Sequence, residues 1–402
     1  MKKIAIIGTA GIPCRYGGFE TLAHQLVQHL GQQFAFTVYC SGKLYQKGDR
    51  PKRWNGARLR YLPMNANGVS SVLYDVLSLL HALLFADTIL MLGVSGGFAV
   101  PLVRLLTKKK VIVHIDGQEW RRAKWGGAAR LFLKLSERVA VRWAHADIAD
   151  NAVIQRYTAT YYKTLSMLLA YGADHAHKQR LRAETLQQMP FLSDPYAFKV
   201  ARIEPENNIH TIVEAFANLP RHRLVLVGNW DKSAYGRQLR EQYKDTPNLF
   251  LLDPIYEQEL LDQLRSNCHV YIHGHSAGGT NPSLVEAMQL GLPVVSIDVG
   301  YNRATTHNQA IYFKDAQDLV RLIPRLSLTQ LLNTGIRMKR LAQEHYQWSK
   351  IAGSYARLFR SFDYAYSRKP LRPQITRLKP STLQSAGVAH LAQSKAFLAA
   401  NA

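Results

Sequence analysis

Short runs of β-branched and aliphatic residues alternate with segments of helical periodicity along most of the chain, and this alternation constrains the fold more than any other feature of the sequence. Consecutive strands separated by a helix must be joined by crossover connections, which produce a parallel sheet covered by helices. The first strand is predicted at residues 3–7, and one helical apolar face follows at Phe19, Leu22, Ala23, Leu26, Val27 and Leu30. The sequence therefore predicts an α/β fold.

The alternating pattern occurs twice, which predicts two lobes. Further strands are predicted at 36–39, 59–62, 88–92, 110–115 and 147–149 in the first half, and at 197–201, 224–227, 249–252, 270–273 and 294–297 in the second. We predict a first lobe at 1–172, a linker at 173–190, a second lobe at 191–347, a C-terminal helix at 348–366 and a flexible basic tail at 367–402. A ligand is expected in a cleft where the carboxyl ends of the two parallel sheets face each other.

The chain is strongly basic, with 51 Lys and Arg against 28 Asp and Glu and a formal net charge of +23. Such a surface attracts polyanions, which include anionic lipid head groups, nucleic acids and phosphorylated substrates. The basic clusters are not interleaved with stacking aromatic residues, so the pattern favours an anionic membrane surface over nucleic acid. The apolar segment 72–85 is expected to dock at that surface.

The cysteines and the apolar segments indicate a compartment. Cys14, Cys40 and Cys268 are odd in number and widely spaced, without a CxxC pair, as is typical of a reducing cytoplasm. The apolar stretch 76–103 is interrupted by Asp87 and by glycine and proline residues, so no segment is predicted to span a bilayer. We expect a cytoplasmic protein that binds peripherally to the inner face of the cell membrane.

The most informative segment is 273–288, HGHSAGGTNPSLVEAM, which follows a predicted strand and opens a helix. Asn281 suits the N-cap of that helix and Pro282 its first position. Backbone N–H groups at such a helix start, approached through Gly278 and Gly279, form a site for a diphosphate. Glu286 lies one turn further on, within reach of the ribose of the same nucleotide. The alternative is a capped helix with a solvated glutamate.

Two other predicted strands end in residues that suit phosphate binding. Arg202 follows the first strand of the second half and can bind a diphosphate bidentately, or form an ion pair with Glu204 or Glu206 instead. Gly17 and Gly18 follow the first strand of the chain and let a phosphate or sugar approach the backbone, or form a tight turn between strand and helix. Their spacing is not that of a dinucleotide-binding GxGxxG motif.

Polar groups are dense in HIDGQEWRRAKW, residues 114–125, directly after an apolar strand. Burying His, Asp and Glu at a strand end is costly unless they bind something, which predicts an active-site loop rather than a structural network. His114, Asp116 and Glu119 are the catalytic candidates. The sequence contains no P-loop, GxSxG, HExxH or DxD motif, so neither a metal ion nor a resident cofactor is expected.

These motifs together resemble the family-four glycosyltransferases of the GT-B fold. The segments at 16–21 (YGGFET), 114–120 and 273–288 resemble more narrowly the bacterial rhamnosyltransferases that build polysaccharides, and the similarity extends to about Phe362. The resemblance implies two Rossmann-like lobes, the first on the acceptor side and the second binding the nucleotide sugar. It also implies a metal-independent, retaining transfer from a nucleotide sugar, often dTDP-rhamnose, to a lipid-linked saccharide.

Transferred by position, the resemblance assigns roles to individual residues. His114 and Asp116 would lie beside the transferred sugar, residues 254–256 would meet the base, and Glu286 would bind the ribose. Two departures matter: Gly278 stands where the wider family has a glutamate, and Asn208 where it has a lysine. They leave open which groups hold the sugar hydroxyls and the second phosphate charge. The predicted donor site comprises Gly17, Gly18, Arg202, Tyr256, Gly278, Gly279, Thr280, Asn281 and Glu286.

Two alternatives belong to other functional classes. A nucleotide-sugar epimerase or a phosphorylase of the same architecture would act without a lipid acceptor. A basic nucleic-acid-binding protein would account for the charge without any enzymatic activity. Release of a free sugar isomer would favour the first, and salt-sensitive RNA binding without nucleotide binding would favour the second.

Overall fold

A computed structural model describes residues 1–14, 17–45, 47–68, 70–115, 117–121, 125–362 and 378–389. These residues form two compact units. The first unit contains Met1–Ala170 and the described residues from Trp348 onward, and the second contains Tyr171–Gln347. Each unit is built on its own sheet, so the predicted α/β fold with two Rossmann-like lobes is confirmed. The parts of the predicted tail at 367–377 and 390–402 lie outside the described residues.

The sheet of the first unit is parallel except at one edge. Its strands are β1 (Lys3–Ile7), β2 (Ala35–Ser41), β3 (Arg53–Trp54), β4 (Ala57–Leu62), β5 (Thr88–Leu92), β6 (Lys110–Ile115), β7 (Ala146–Ala149) and β8 (Met167–Leu168). They lie in the order β3-β4-β2-β1-β5-β6-β7-β8, and only the short β3 pairs antiparallel, with β4. The helices of this unit are α1 (Gly18–Leu30), α2 (Ser70–Ala82), α3 (Val100–Leu106), α4 (Gly127–Trp143), α5 (Ala152–Tyr162), and, after the second unit, α14 (Trp348–Ser361) and α15 (Pro380–Ser385).

The sheet of the second unit is parallel throughout. Its strands are β9 (Tyr196–Val200), β10 (Arg223–Val227), β11 (Leu249–Leu252), β12 (Val270–His273), β13 (Val294–Ile297) and β14 (Ile311–Phe313), in the order β11-β10-β9-β12-β13-β14. Its helices are α6 (Ala183–Gln188), α7 (Ile209–Ala217), α8 (Ala234–Tyr243), α9 (Gln258–Ser266), α10 (Pro282–Gln289), α11 (Gly300–Thr305), α12 (Ala316–Leu322) and α13 (Leu328–His345). Because β9 and β12 are neighbours, the loops that leave their carboxyl ends lie side by side.

The chain returns to the first unit through α14, whose apolar face packs on α1 and the start of β2. The Phe359 ring contacts Phe34 and Phe36 edge-on, with ring centroids 5.4 and 6.3 Å apart. Lys2 Nζ donates to the Phe359 carbonyl at 2.6 Å. The apolar side of the amphipathic segment 348–362 therefore packs into a core formed by the first forty residues.

Part of the tail that was expected to be flexible is folded. Residues 378–389 contain α15, and Leu383 and Val388 are buried against Ala159 and Leu165 of the first unit. Leu378, Ala386 and Ala389 of the same segment pack against this cluster, so the segment docks through several apolar residues. Of the described helices, none is both long and apolar enough to cross a membrane.

Phe359→Ala should lower the free energy of unfolding by about 3–5 kcal/mol, because it removes a fully buried aromatic ring and leaves a cavity between α14 and α1. Urea denaturation would measure the change. The matched control is Arg357→Ala on the exposed side of the same helix, expected to change stability by less than about 0.5 kcal/mol. Equal effects of the two substitutions would contradict the packing role of Phe359.

Candidate functional site

The loop between β12 and α10 forms the start of a capped helix. Asn281 Oδ1 accepts from Ser283 N at 3.0 Å and from Ser283 Oγ at 2.7 Å, and Pro282 is the first residue of α10. The N-cap and first-position assignments made from the sequence are therefore confirmed. Thr280 is buried beside the cap. The helix start thus places the positive end of its dipole at the carboxyl edge of the second sheet, while the N–H groups of Ser283, Leu284 and Val285 all bond to Asn281.

Gly278 has a conformation that favours glycine. Its φ is +117°, and a Cβ at this position would lie 3.2 Å from His275 Nε2. A larger residue would therefore be strained and would press on the His275 imidazole. The glutamate that the resemblance would place here would therefore be strained in the present loop conformation. Gly279 follows in the same turn, immediately before Thr280 and Asn281.

Side-chain hydrogen bonds join the two loops that leave β9 and β12. Asn207 Nδ2 donates to the Arg202 carbonyl at 2.9 Å, and Asn207 Oδ1 lies 2.9 Å from His275 Nδ1. Asn208 Nδ2 donates to the Gly274 carbonyl at 2.7 Å and to Ser276 Oγ at 3.0 Å. Asn208, which stands where the family has a lysine, therefore holds loops together instead of supplying charge.

Arg202 lies at the edge of this pair of loops. Its side chain is 31% exposed, and Nη1 is 3.5 Å from Glu204 Oε2. The ion pair offered as an alternative from the sequence is thus present, but the 3.5 Å separation is long for a charge-assisted hydrogen bond, so Arg202 keeps donors for an anion. Tyr256 lies after β11 and is 69% exposed. The predicted contacts of Arg202 and Tyr256 with a nucleotide stay predictions.

Glu286 is held by a buried ionic cluster that the sequence did not reveal. The fully buried Arg265 donates from Nη1 to Glu286 Oε2 and from Nη2 to Asp262 Oδ1, the latter at 2.6 Å. His175 Nε2 lies 3.1 Å from Glu286 Oε1. Although burial by itself raises the pKa of a carboxyl group, the charge of Arg265 and hydrogen bonds from His175 and Arg265 lower the pKa of Glu286 to about 2. The Glu286 carboxylate is therefore ionised and fixed in orientation.

Sequence reasoning missed Arg265 and His175. Arg265 lies in the amphipathic helix α9, where an arginine is ordinarily exposed, and His175 falls in the segment that was assigned to a linker. No local pattern marks either residue, because their partner Glu286 is distant in the sequence. Burial opposes the charge of Arg265, but Glu286 and Asp262 hold the pKa of the guanidinium above its ordinary value.

In the first unit, Gly17 and Gly18 lie at the start of α1. Gly17 has φ +126° and precedes the helix, and its carbonyl accepts from Thr21 N at 3.0 Å. Glu20 Oε1 accepts from Ala10 N at 2.6 Å and from Thr9 Oγ1 at 3.1 Å, which ties the helix start to the loop after β1. The tight turn considered from the sequence is thus present, and the role of Gly17 and Gly18 towards a ligand stays a prediction.

The catalytic candidates of the first unit lie at and after the end of β6. His114 is 1% exposed, and its ring meets Phe19 edge-on at 5.2 Å. Glu119 Oε1 accepts from Trp125 Nε1 at 3.1 Å. Asp116 lies outside the described residues. In the part of the chain that the structure describes, no group of three or more His, Cys, Asp or Glu side chains is placed to hold a metal ion, and metal independence stays a prediction.

Two family models match the chain, and the boundary between them lies close to the boundary between the two units. Residues 1–174 match a domain of unknown function, DUF1972, and residues 183–348 match Glycosyl transferases group 1. No curated protein matches the sequence. The second match covers β9 to α13, including both loops that carry Arg202 and Asn281. It supports glycosyltransferase activity.

Solved structures with the same architecture cover nine tenths of the chain. Sucrose-phosphate synthase from Thermosynechococcus elongatus is 18% identical, with a TM-score of 0.76, and the match covers 90% of this chain and 99% of that one. HepE from Anabaena in complex with UDP-glucose is 14% identical, with a TM-score of 0.68 and 90% and 100% coverage. A glycosyltransferase from Rickettsia africae is 11% identical, with a TM-score of 0.69 and 90% and 99% coverage. At such identities these likenesses establish the GT-B fold.

The ionised state of Glu286 predicts a pH dependence of stability. Its pKa falls from the ordinary 4.5 to about 2 on folding, so its stabilisation is complete above pH 4.5 and is lost as the pH falls from there towards 2. Urea denaturation of the native chain and of Glu286→Gln across this range should show a stability difference that shrinks with acidification. The same carboxyl-to-amide change at an exposed position, Glu241→Gln, is the matched control. A constant difference at every pH would contradict the assignment.

Proposed function

We propose that this glycosyltransferase moves a sugar from a nucleoside diphosphate to a lipid-linked saccharide, with retention of anomeric configuration, during synthesis of a cell-surface polysaccharide. The proposed sugar is rhamnose and its carrier dTDP, following the resemblance of the three motifs at 16–21, 114–120 and 273–288. The enzyme is proposed to act in the cytoplasm, peripherally at the inner face of the membrane. It needs neither a metal ion nor a resident cofactor.

The observation that carries the donor half of the proposal is the start of α10. The Asn281 cap, the left-handed Gly278 and the positive end of the α10 dipole lie together in this loop, and the proposal places the diphosphate there. Glu286 follows one turn later. Each carboxylate oxygen can accept two hydrogen bonds, so Glu286 can receive a ribose hydroxyl in addition to Arg265 and His175. Its side chain is 16% exposed, which leaves an approach.

A nucleotide-sugar donor is also supported by a structural relative. HepE from Anabaena has been solved with UDP, with UDP and glucose, and with UDP-glucose. Its fold is shared over nine tenths of this chain. The structural likeness supports a nucleotide sugar as the class of donor. The identity of its base and of its sugar is proposed from the motif resemblance alone.

The proposed reaction needs little covalent participation by the protein. The acceptor oxygen bonds to the anomeric carbon on the face that the diphosphate leaves, the bond from that carbon to the diphosphate oxygen breaks, and the acceptor's proton passes to a departing phosphate oxygen. Arg202 and the start of α10 stabilise the charge that develops on the diphosphate. Either Asp116 or Glu119 is proposed to orient the acceptor, and His114 and Asp116 to lie beside the transferred sugar.

Incubation of the purified chain with a panel of nucleotide sugars and a membrane lipid extract tests the function. Mass spectrometry should detect a lipid-linked saccharide enlarged by one sugar unit, with dTDP-rhamnose as the best donor, and NMR of the product should show the donor's anomeric configuration. Release of a free sugar isomer without any enlarged lipid would instead identify the epimerase. An inverted configuration would overturn the proposed mechanism.

Arg202→Ala should weaken dTDP or UDP binding by about 1.5–3 kcal/mol, roughly 10- to 150-fold in Kd, because it removes a charge-assisted contact with the diphosphate. Isothermal titration calorimetry would measure it. The control is Arg237→Ala, an exposed arginine of the same unit bonded to the Asp231 carbonyl, for which no change is expected. Unchanged affinity in Arg202→Ala would remove this residue from the donor site.

A further inference from the structure

Three helices of the first unit lie on one face of its sheet. The connections β4 to β5, β5 to β6 and β6 to β7 all cross the sheet in the same direction, and right-handed crossovers place their helices α2, α3 and α4 on the same side. Local contacts join them into one layer. A Cβ added at Gly96, just before α3, would lie 2.8 Å from Asp75 Cβ of α2. Phe98 and Phe132 of α4 have ring centroids 5.2 Å apart.

The outer side of α2 is as apolar as its inner side. Tyr74 and Leu79 are buried against the sheet, whereas Leu73, Leu77 and Leu80 are 56%, 38% and 48% exposed. Their spacing of four and three residues aligns them along one stripe of the helix. A helix that is apolar on both sides ordinarily lies in an apolar environment on both sides. The outer stripe of α2 therefore lacks the polar character of a water-facing helix.

Exposed apolar residues also occur on α3 and α4, the next helices of the same layer. We call the exposed outer side of α2, α3 and α4, with the residues adjoining them, the leucine face. Single exposed apolar residues are common on protein surfaces, but a contiguous patch on neighbouring elements marks an interaction site. The exposed apolar residues of the leucine face are Leu73, Leu77, Leu80, Leu84, Phe98, Leu102, Leu105, Leu106, Leu131 and Leu135.

Basic side chains accompany the leucines. Arg130, Lys134 and Arg138 are exposed at spacings of four on α4, on the ridge next to Leu131 and Leu135. Lys108 is exposed directly after α3. The two carboxylates within these three helices, Asp75 and Glu137, are both buried. The helices of the leucine face are therefore apolar and positively charged, without an exposed carboxylate, although the exposed Asp87 follows Leu84 and accepts from Lys3 N at 2.9 Å.

We propose that the leucine face docks the enzyme onto an anionic lipid bilayer. A bilayer offers apolar chains to the leucines and negative head groups to the arginines and lysines, whose long stems reach the head-group layer while the leucines enter below it. A second copy of this chain fits less well. A two-fold dimer through this face would place the same cationic surfaces against each other, without exposed acidic groups on the helices to compensate.

The docking surface extends the proposed function, because it brings the enzyme to the membrane where a lipid-linked acceptor resides. Vesicle binding requires neither donor nor acceptor. The two proposals can therefore fail separately. An enzyme that floats with vesicles but transfers no sugar would support the docking surface and contradict the proposed reaction. An enzyme that transfers sugar without binding vesicles would support the reaction and contradict the docking surface.

Flotation of the full-length chain with two kinds of vesicle tests the proposal. The vesicles contain phosphatidylcholine alone or phosphatidylcholine with about one third phosphatidylglycerol. The apolar variant is Leu73→Ser with Leu77→Ser and Leu80→Ser, and the charge variant is Arg130→Glu with Arg138→Glu. The matched control is Leu328→Ser with Leu332→Ser and Ile336→Ser, which changes three residues of α13 that are 64%, 58% and 67% exposed. Thermal melting confirms that each variant is folded.

The native chain should bind the anionic vesicles at least about tenfold more tightly than the neutral ones, and each of the two leucine-face variants should lose at least about tenfold of that binding. The α13 control should bind like the native chain. Equal binding to both kinds of vesicle, or an equal loss in the control, would overturn the proposal. So would a leucine variant that keeps vesicle binding but turns a dimer into a monomer in analytical ultracentrifugation, because the face would then be an interface between copies.

Discussion

The buried contact between Arg265 and Glu286 is the interaction on which the candidate donor site depends. An arginine without solvent exposure is tolerable only when carboxylates compensate its charge, and Asp262 and Glu286 both do so. In return, the guanidinium keeps Glu286 ionised and fixes its direction within α10. The start of α10 and the Glu286 carboxylate are then held in a fixed arrangement. The helix start is suited to a phosphate group, and the carboxylate is suited to hydroxyl groups. The proposed recognition of a nucleotide follows from that pairing and from the capped loop before it.

A second constraint is the adjacency of β9 and β12. Residues 202–208 and 274–281 are about seventy positions apart, but the parallel pairing of Ala197 with Val270 and of Phe198 with Tyr271 brings their loops together. Asn207 and Asn208 then bond across to His275, Gly274 and Ser276. Amide side chains fix the geometry of this edge, and Arg202 is the residue proposed to supply positive charge there. The departure from the family pattern at Asn208 therefore has a structural explanation in the hydrogen bonds it makes.

The first unit divides its two sheet faces between different tasks. On one, α1 receives α14, and the rings of Phe34, Phe36 and Phe359 form a dry contact. On the other, α2, α3 and α4 leave leucines exposed beside arginines and lysines. Both faces derive from the same crossover rule, since the direction of each connection across the sheet decides which side its helix covers. Net charge alone pointed to polyanions in general, and the arrangement of the exposed residues is the basis for proposing an anionic lipid bilayer among them.

The sequence by itself determined the fold class, most strands and the capped start of α10, because these depend on residues that are close together in the chain: alternating periodicity, an Asn-Pro pair, and glycine at left-handed positions. Tertiary structure decided the rest. The short edge strands β3, β8 and β14 carry too few residues for a periodic signal and exist because a neighbouring strand pairs with them. Docking of residues 378–389, return of α14 to the first unit, and burial of Arg265 against Glu286 all join positions far apart in sequence. Such contacts are set by packing and charge compensation in three dimensions, which no local pattern encodes.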